Sequence, residues 1–332
     1  MSSSFSLPAK QPPLGAYVLM TAAYNEESFI ERIIQSVLAQ TSLPKRWVIV
    51  SDNSIDRTDQ IVERYASQHD FIRLLHLTRA PGRNFGSKVI ALQKAHKLLE
   101  GVEYDFIGNV DADVSLDRFY FEDLINHFQQ HPGLGLAGGF LYEDSGSGYH
   151  SLRINDVRNV CHAAQLVRRD CYEAIAGYAV LKYGGEDWYA QTQARMKGWQ
   201  VEALPQLKIF HHRHTTGGSS PLRNAFRQGR QDYSFGTVPL FEIFKCLRRL
   251  PEKPYFGHAL FRLAGFIWPH LCGEPRGVEN DVVSFLRREQ NGRISQLVGG
   301  SWAALTSTIV GFGDKRIADV EAKHLPARTT DA

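Results

Sequence analysis

The chain has 332 residues, 43% hydrophobic and 22% charged, with Lys+Arg 38 against Asp+Glu 35 and a net charge of +3. That is globular composition, enough for one large domain or two smaller ones, and it lacks the basic excess of a bulk nucleic-acid binder, so no nucleic-acid partner is expected. Cys161, Cys171, Cys246 and Cys272 form no CxxC pair, so they read as reduced thiols of a cytoplasmic protein, not as a disulfide framework or zinc knuckle.

The start, MSSSFSLPAKQPPLG, is polar and proline-rich and reads as a flexible N-terminus over 1–15 without a signal-peptide h-region. AYVLMTA (16–22) reads as a buried strand. SFIERIIQSVLAQ (28–40) has helical spacing of Phe29, Ile33, Ile34 and Val37, with Ser28 as N-cap and Glu31 at capping-box distance. RWVIVSD (46–52) is a second strand, and DRTDQIVERYASQ (56–68) a helix with Asp56 as cap. IRLLHLT (72–78) is a third strand, followed by a glycine-containing loop and a helix over 87–99. YDFIGNVDAD (104–113) is a fourth strand, followed by a helix over 118–130.

Strand and helix thus alternate four times, which predicts an α/β fold with a mostly parallel sheet flanked by helices. Ligands of such sheets bind beyond the carboxyl ends of the strands. Those ends carry Tyr24, Asn25 and Glu26, then Asp52 and Asn53, then RAPGRNFGSK, then Asp111 and Asp113. If strand four runs to residue 113, Asp111 and Asp113 project from one face, where like charges raise each other's pKa and a divalent cation would compensate.

TAAYNEE, VIVSDNSIDRT and VDAD, in that order and spacing, resemble the nucleotide-binding half of family 2 glycosyltransferases, which have the GT-A fold. The resemblance covers roughly residues 16 to 215, with SDNS holding one acidic residue where the family usually has two. It implies a nucleoside diphosphate sugar donor and a Mg2+ or Mn2+ ion that neutralises the leaving diphosphate. On that resemblance Asp113 is a metal ligand and Asp111 lies near ribose and metal. Asp52 accepts a hydrogen bond from the base, and Ala22, Tyr24 and Glu26 cradle base and ribose. Lys88 and Arg83 are the bases nearest the diphosphate; GxxxxGK[ST] is absent, so the loop is no Walker A.

QLVRRDCYEAIAGY (165–178) resembles the strand and helix that flank the acceptor. In YGGEDWYAQTQARMKGW (183–199), Glu186 and Asp187 open a helix, where the dipole favours negative charge, and they resemble the family's ED motif. The resemblance makes Asp187 the general base and Glu186 an acceptor-orienting group. QGRQDY is not a QxxRW motif, which argues against a processive cellulose- or chitin-type synthase. In IFHHRHTTGGSS (209–220), the resemblance implies one histidine as a further metal ligand, with His211 preferred over His212, and Arg213 reaching the diphosphate.

Residues 16–220 therefore read as a catalytic domain, with a nucleotide-sugar half over about 16–115 and an acceptor half over about 116–220. Residues 221–312 read as a helical region in which Arg248, Arg249, Arg262, Arg287 and Arg288 accompany many aromatics, and 313–332 as a tail. No apolar run reaches the roughly 20 residues of a membrane span. The helical region fits peripheral contact with an anionic membrane, packing on the catalytic domain, or self-association.

The expected activity is inverting, metal-dependent transfer of a sugar to a hydroxyl of a glycan or lipid-linked acceptor, in the cytoplasm or at the inner face of the membrane. Two other readings are a nucleotidyltransferase, which would want a glycine-rich basic first loop, and a nucleotide-sugar-binding subunit, which would need no base at Asp187.

Overall fold

The core begins with Tyr17–Ala23 (β1), whose alternate side chains enter two different apolar clusters, as a strand covered on both faces requires. Tyr17 and Leu19 pack with Trp47 and Ile49 on one face, and Val18 and Met20 with Val48 and Val50 on the other. The computed structural model describes residues 15–78, 86–144, 148–152, 155–213, 220–251 and 255–299.

Strands Arg46–Asp52 (β2), Ile72–Leu77 (β3) and Phe106–Val110 (β4) join β1 in a parallel set of spatial order β3-β2-β1-β4. They are linked by helices Ile30–Leu38 (α1), Thr58–Ala66 (α2) and Ser87–Lys97 (α3). Helix α1 buries Ile30, Ile33, Ile34 and Val37, one stripe at helical spacing.

The second half continues the sheet in mixed sense. It comprises Val114–Leu116 (β5), Tyr120–Gln130 (α4), Leu134–Asp144 (β6), Tyr149–Ser151 (β7), Ala164–Arg168 (β8), Arg169–Ala174 (α5), Glu186–Met196 (α6) and Gln200–His211 (β9). Strand β8 lies antiparallel between β4 and β6, β6 runs parallel to β9, and the end of β9 pairs antiparallel with β5. That last pairing sets His211 opposite Val114, beside Asp113.

Four helices follow: Pro221–Ser234 (α7), Pro239–Arg248 (α8), Tyr255–Leu271 (α9) and Asn280–Gly299 (α10). Helices α7 and α9 touch backbone to backbone. A Cβ at Gly229 would strike the Arg262 carbonyl, and one at Gly265 the Phe226 carbonyl. Helix α10 lays Val282 and Leu286 against Tyr189 and Phe235, and its Glu289 meets Arg195 at 2.9 Å.

Two local expectations fail. Ser28 does not cap α1. The helix starts at Ile30, and the amides of Phe29 and Ile30 donate to the Glu26 carbonyl at 2.9 and 2.8 Å. Glu31 is drawn instead to Arg64 and Tyr65 of α2. Strand four stops at Val110, not 113; Asp111–Asp113 is a turn before β5, so strand alternation is not what brings the two carboxylates together. Asp56 lies one residue before the N-cap position, held by Arg57, and accepts from the first helical amide, that of Thr58, at 3.0 Å.

Candidate active site

The loops after β1 and β2 are laced together. Asn25 and Asn53 take left-handed backbone, φ 53 and 58, which asparagine tolerates better than most residues. Asn25 Oδ1 accepts from the Ile55 amide at 2.9 Å, and the Glu26 amide donates to Thr58 Oγ1 at 2.7 Å. This fixes the edge on which Ala22, exposed Tyr24, Glu26 and buried Asp52 sit.

The turn after β4 is held by protein cations. Lys88 Nζ, at the start of α3, lies 2.6 Å from Asp111 Oδ1. Asp113 Oδ2 meets Arg213 Nε at 3.1 Å and His211 Nε2 at 3.4 Å. Arg213 also pairs with Glu26, so one guanidinium ties the loop after β1 to the end of β9. His211 Nδ1 lies 3.1 Å from Glu143. His212 turns elsewhere, to Ser115, Tyr149 and Arg32.

The electrostatics split the two aspartates. Burial pushes the Asp111 carboxyl above its ordinary range, with Lys88 opposing and Asp113 adding. Burial also pushes Asp113 up, but His211 and Arg213 outweigh it and hold that carboxyl low. Burial lowers His211, yet contact with Asp113 and Glu143 leaves it raised.

The other wall of the site is the start of α6. Gly184 and Gly185 both take left-handed backbone, φ 78 and 90, and turn the chain sharply into Glu186 and Asp187. A side chain at Gly185 would strike Gln231 and Phe235, so α7 is moulded onto this turn. Asp187 Oδ1 accepts from the Trp188 amide at 2.8 Å. Burial and the Glu186 charge raise the Asp187 carboxyl, with Lys88 opposing. Lys88 feels both walls: burial lowers it, but Asp111 first, then Glu186 and Asp187, leave it raised.

Sequence reasoning passed over two residues here. His162 is buried, its Nδ1 lies 3.8 Å from Glu186 and its ring packs edge-on against Tyr178. Burial, with Lys88, pushes it well below the ordinary imidazole range. Glu143 reaches His211 only because β6 and β9 pair side by side. Neither residue lies in a spaced motif, so only the tertiary pairing reveals it. Arg83, with its loop neighbour Arg79, lies outside the described residues.

Among the described residues, no group of three or more His, Cys, Asp or Glu side chains forms a ready metal cage. A small hard cation does not need one, since Mg2+ and Mn2+ sites use one or two carboxylates completed by phosphate oxygens and water. The oxygen donors of Asp111 and Asp113 and the His211 nitrogen fit that chemistry.

Residues 19–176 match the model of the family described as Glycosyl transferase family 2. That stretch carries a domain of that family. Poly-beta-1,6-N-acetyl-D-glucosamine synthase of Staphylococcus epidermidis is 29% identical over 126 residues, 36% of this chain and 27% of that protein. The corresponding synthase of Staphylococcus aureus (strain COL) is 29% identical over 129 residues, 38% of this chain and 28% of that protein. The match thus spans little more than a quarter of either relative's length.

The mannosyltransferase PcManGT from Pyrobaculum calidifontis, solved with GDP-Man and Mn2+, has 16% identity and a TM-score of 0.51, covering 89% of this chain and 85% of that one. GalNAc-T7 with UDP, GalNAc and Mn2+ has 14% identity and a TM-score of 0.55, covering 84% of this chain and 55% of that one. At such identities the likeness is one of fold, and the chain has the mixed GT-A sheet with helices on its faces.

Proposed function

We propose that this chain transfers a sugar from a nucleoside diphosphate sugar to a hydroxyl of a glycan or lipid-linked acceptor, with inversion at the anomeric carbon and with a divalent metal. The observation that carries this reading is the placement of Lys88 between two acidic walls, 2.6 Å from Asp111 and within the field of Glu186 and Asp187. One wall belongs to strand ends, where this architecture takes nucleotides. The other opens a helix on the far half of the chain.

On this reading Asp52 holds the base, and Ala22, Tyr24 and Glu26 border base and ribose. Asp111, Asp113 and His211 hold the cation, whose chemistry is to neutralise charge on the leaving diphosphate. Lys88 and Arg213, which now sit on the two aspartates, shift toward the diphosphate when it arrives. Asp187 takes the proton from the acceptor hydroxyl, and Glu186 orients that hydroxyl. The acceptor oxygen bonds to the anomeric carbon from the face opposite the diphosphate, the old carbon–oxygen bond breaks, and the nucleoside diphosphate leaves with those electrons. A carboxyl raised by burial is a better base than an ordinary aspartate, which suits Asp187 to this task. The mannosyl- and N-acetylgalactosaminyltransferase neighbours, solved with nucleotide or nucleotide sugar and Mn2+, support the same donor class here.

The test is Asp187→Asn, assayed for transfer across a panel of nucleotide sugars and acceptors and for donor affinity on the same protein. A lost general base predicts a turnover loss of at least about 100-fold with donor affinity kept. Asparagine is as good a helix cap as aspartate, so a silent variant would sink the base assignment.

A further inference from the structure

Helices α8 and α9 are amphipathic with the faces reversed. In α8, Leu240, Ile243, Phe244 and Leu247 recur three and four residues apart along one face, and all four are exposed. The opposite face of α8 buries Glu242 at 0% exposure. In α9, Phe256, Leu260, Trp268 and Leu271 form a second outward stripe, with Phe256 at 73%, Leu260 at 64% and Leu271 at 76% exposed. Arg262, on the inward side of α9, is 4% exposed.

The inward sides meet through charge. Arg262 Nε lies 2.8 Å from Glu242, its Nη2 pairs with Asp232 of α7, and Lys245 Nζ reaches Asp232 at 2.5 Å. Two cations and two carboxylates therefore lie inside while phenylalanine, tryptophan and leucine lie outside. A run of exposed apolar residues this continuous is far from the scattered pattern of an ordinary soluble surface.

The charge pattern selects the occupant. Glu242 is the only carboxylate in either helix, and it is buried. Exposed Arg248 flanks the α8 face. At the far edge, Ile267 and His270 border a cavity of about 240 Å³ that Arg276 and Arg287 also line. Apolar residues edged by arginines, without outward acid, match an anionic bilayer surface. Among the described residues no helix is long and apolar enough to cross a membrane, so these two would lie along one.

We infer that the α8–α9 face docks this protein peripherally on an anionic lipid bilayer. Docking reaches the catalytic wall through α7. That helix touches α9 at Gly229, donates from Arg227 to the Tyr183 carbonyl at 2.8 Å, and packs Gln231 and Phe235 on Gly185. The face that meets lipid is thus one helix away from Glu186 and Asp187. The inference goes beyond sugar transfer, and its readout is lipid binding alone, so either can fail without the other.

The experiment is sedimentation of the full chain with vesicles of phosphatidylcholine alone and of phosphatidylcholine with phosphatidylglycerol, no donor being present. The wild type should sediment with the mixed vesicles and bind pure phosphatidylcholine at least about tenfold more weakly. The double variant Leu260→Ser/Trp268→Ser should bind the mixed vesicles at least about tenfold more weakly, with an unchanged thermal transition. Absence of wild-type binding, or equal binding by the variant, overturns the inference. So does wild-type self-association without lipid that the double variant abolishes, because the face would then be a contact between copies. Should the double variant not fold, quenching by brominated lipid decides: the emission that Trp268→Phe removes must be the part that is quenched, and an unquenched Trp268 overturns the inference.

Discussion

Residues 17–211 and the helices after them use apolar side chains in opposite ways. In α1 the stripe Ile30, Ile33, Ile34 and Val37 faces the sheet and is buried. In α8 the equally regular stripe Leu240, Ile243, Phe244 and Leu247 faces outward, while Glu242 and Arg262 meet inside. Periodicity identifies a helix and its apolar face in both regions. It does not say what that face touches: a sheet covers the first, while among the described residues the second is left exposed.

The strongest way to break this contrast is at Arg262. If α7–α9 are held by their buried charges, Arg262→Ala leaves Asp232 and Glu242 without their guanidinium and costs about 3–5 kcal/mol in denaturant unfolding. A change below about 0.5 kcal/mol, as for an ordinary surface residue, would make the charged interior incidental.

Within the catalytic region, Asp113→Ala should abolish the gain in donor affinity that Mn2+ gives in calorimetric titration. The loss should exceed the roughly 10–100-fold that removing an outer partner costs a metal site. Unchanged manganese dependence would remove Asp113 from the ligand set.

A pH profile tests the wall where the two regions meet. A base works only when ionised, and burial together with Glu186 raises the Asp187 carboxyl. Turnover should therefore fade, as pH drops, already above the ordinary carboxylate range. Glu186→Gln removes the like charge and should move that acid limb downward. A limb that stays in place in this variant would show that another group sets it.

The smallest effect belongs to Leu260→Ala, which should alter stability in urea by no more than about 0.5 kcal/mol. The same exchange at Leu19, fully buried in β1, should cost about 2–5 kcal/mol. Equal losses at both positions would mean that α9 is covered by this chain itself in solution.

Most of the first half was legible because its physics is local. Strand and helix alternate with short links, and strand ends collect Asn25, Asp52, Asp111 and Asp113 on the edge where parallel sheets take ligands. The reason offered for the Asp111 and Asp113 pair was nevertheless not the operative one. A turn sets them side by side, and separate cations hold them, Lys88 of α3 on Asp111 and His211 and Arg213 from the end of β9 on Asp113. The capping box at Ser28 failed because Glu31 found Arg64 across a helix pair that local spacing does not encode. His162 and Glu143 carried no signal at all, since their neighbours, Glu186 of α6 and Tyr178 for the one and His211 of β9 for the other, come from other elements. In the last helices the sequence offered Arg262 among arginines that accompany many aromatics, and nothing in its spacing showed that it would be buried.

The turn at Gly185 has a consequence for anyone exchanging parts among relatives. Its left-handed backbone favours glycine, and Gln231 and Phe235 leave no room for a side chain on it. The α7 helix is therefore a mould for the loop that presents Asp187, not a detachable appendix. A chimera that grafts foreign C-terminal helices after residue 220 would inherit Asp187 but not the shape that aims it. Conversely, a graft that carries α7 along with its Gln231 and Phe235 brings the geometry of the Gly185 turn with it, whatever strands precede it.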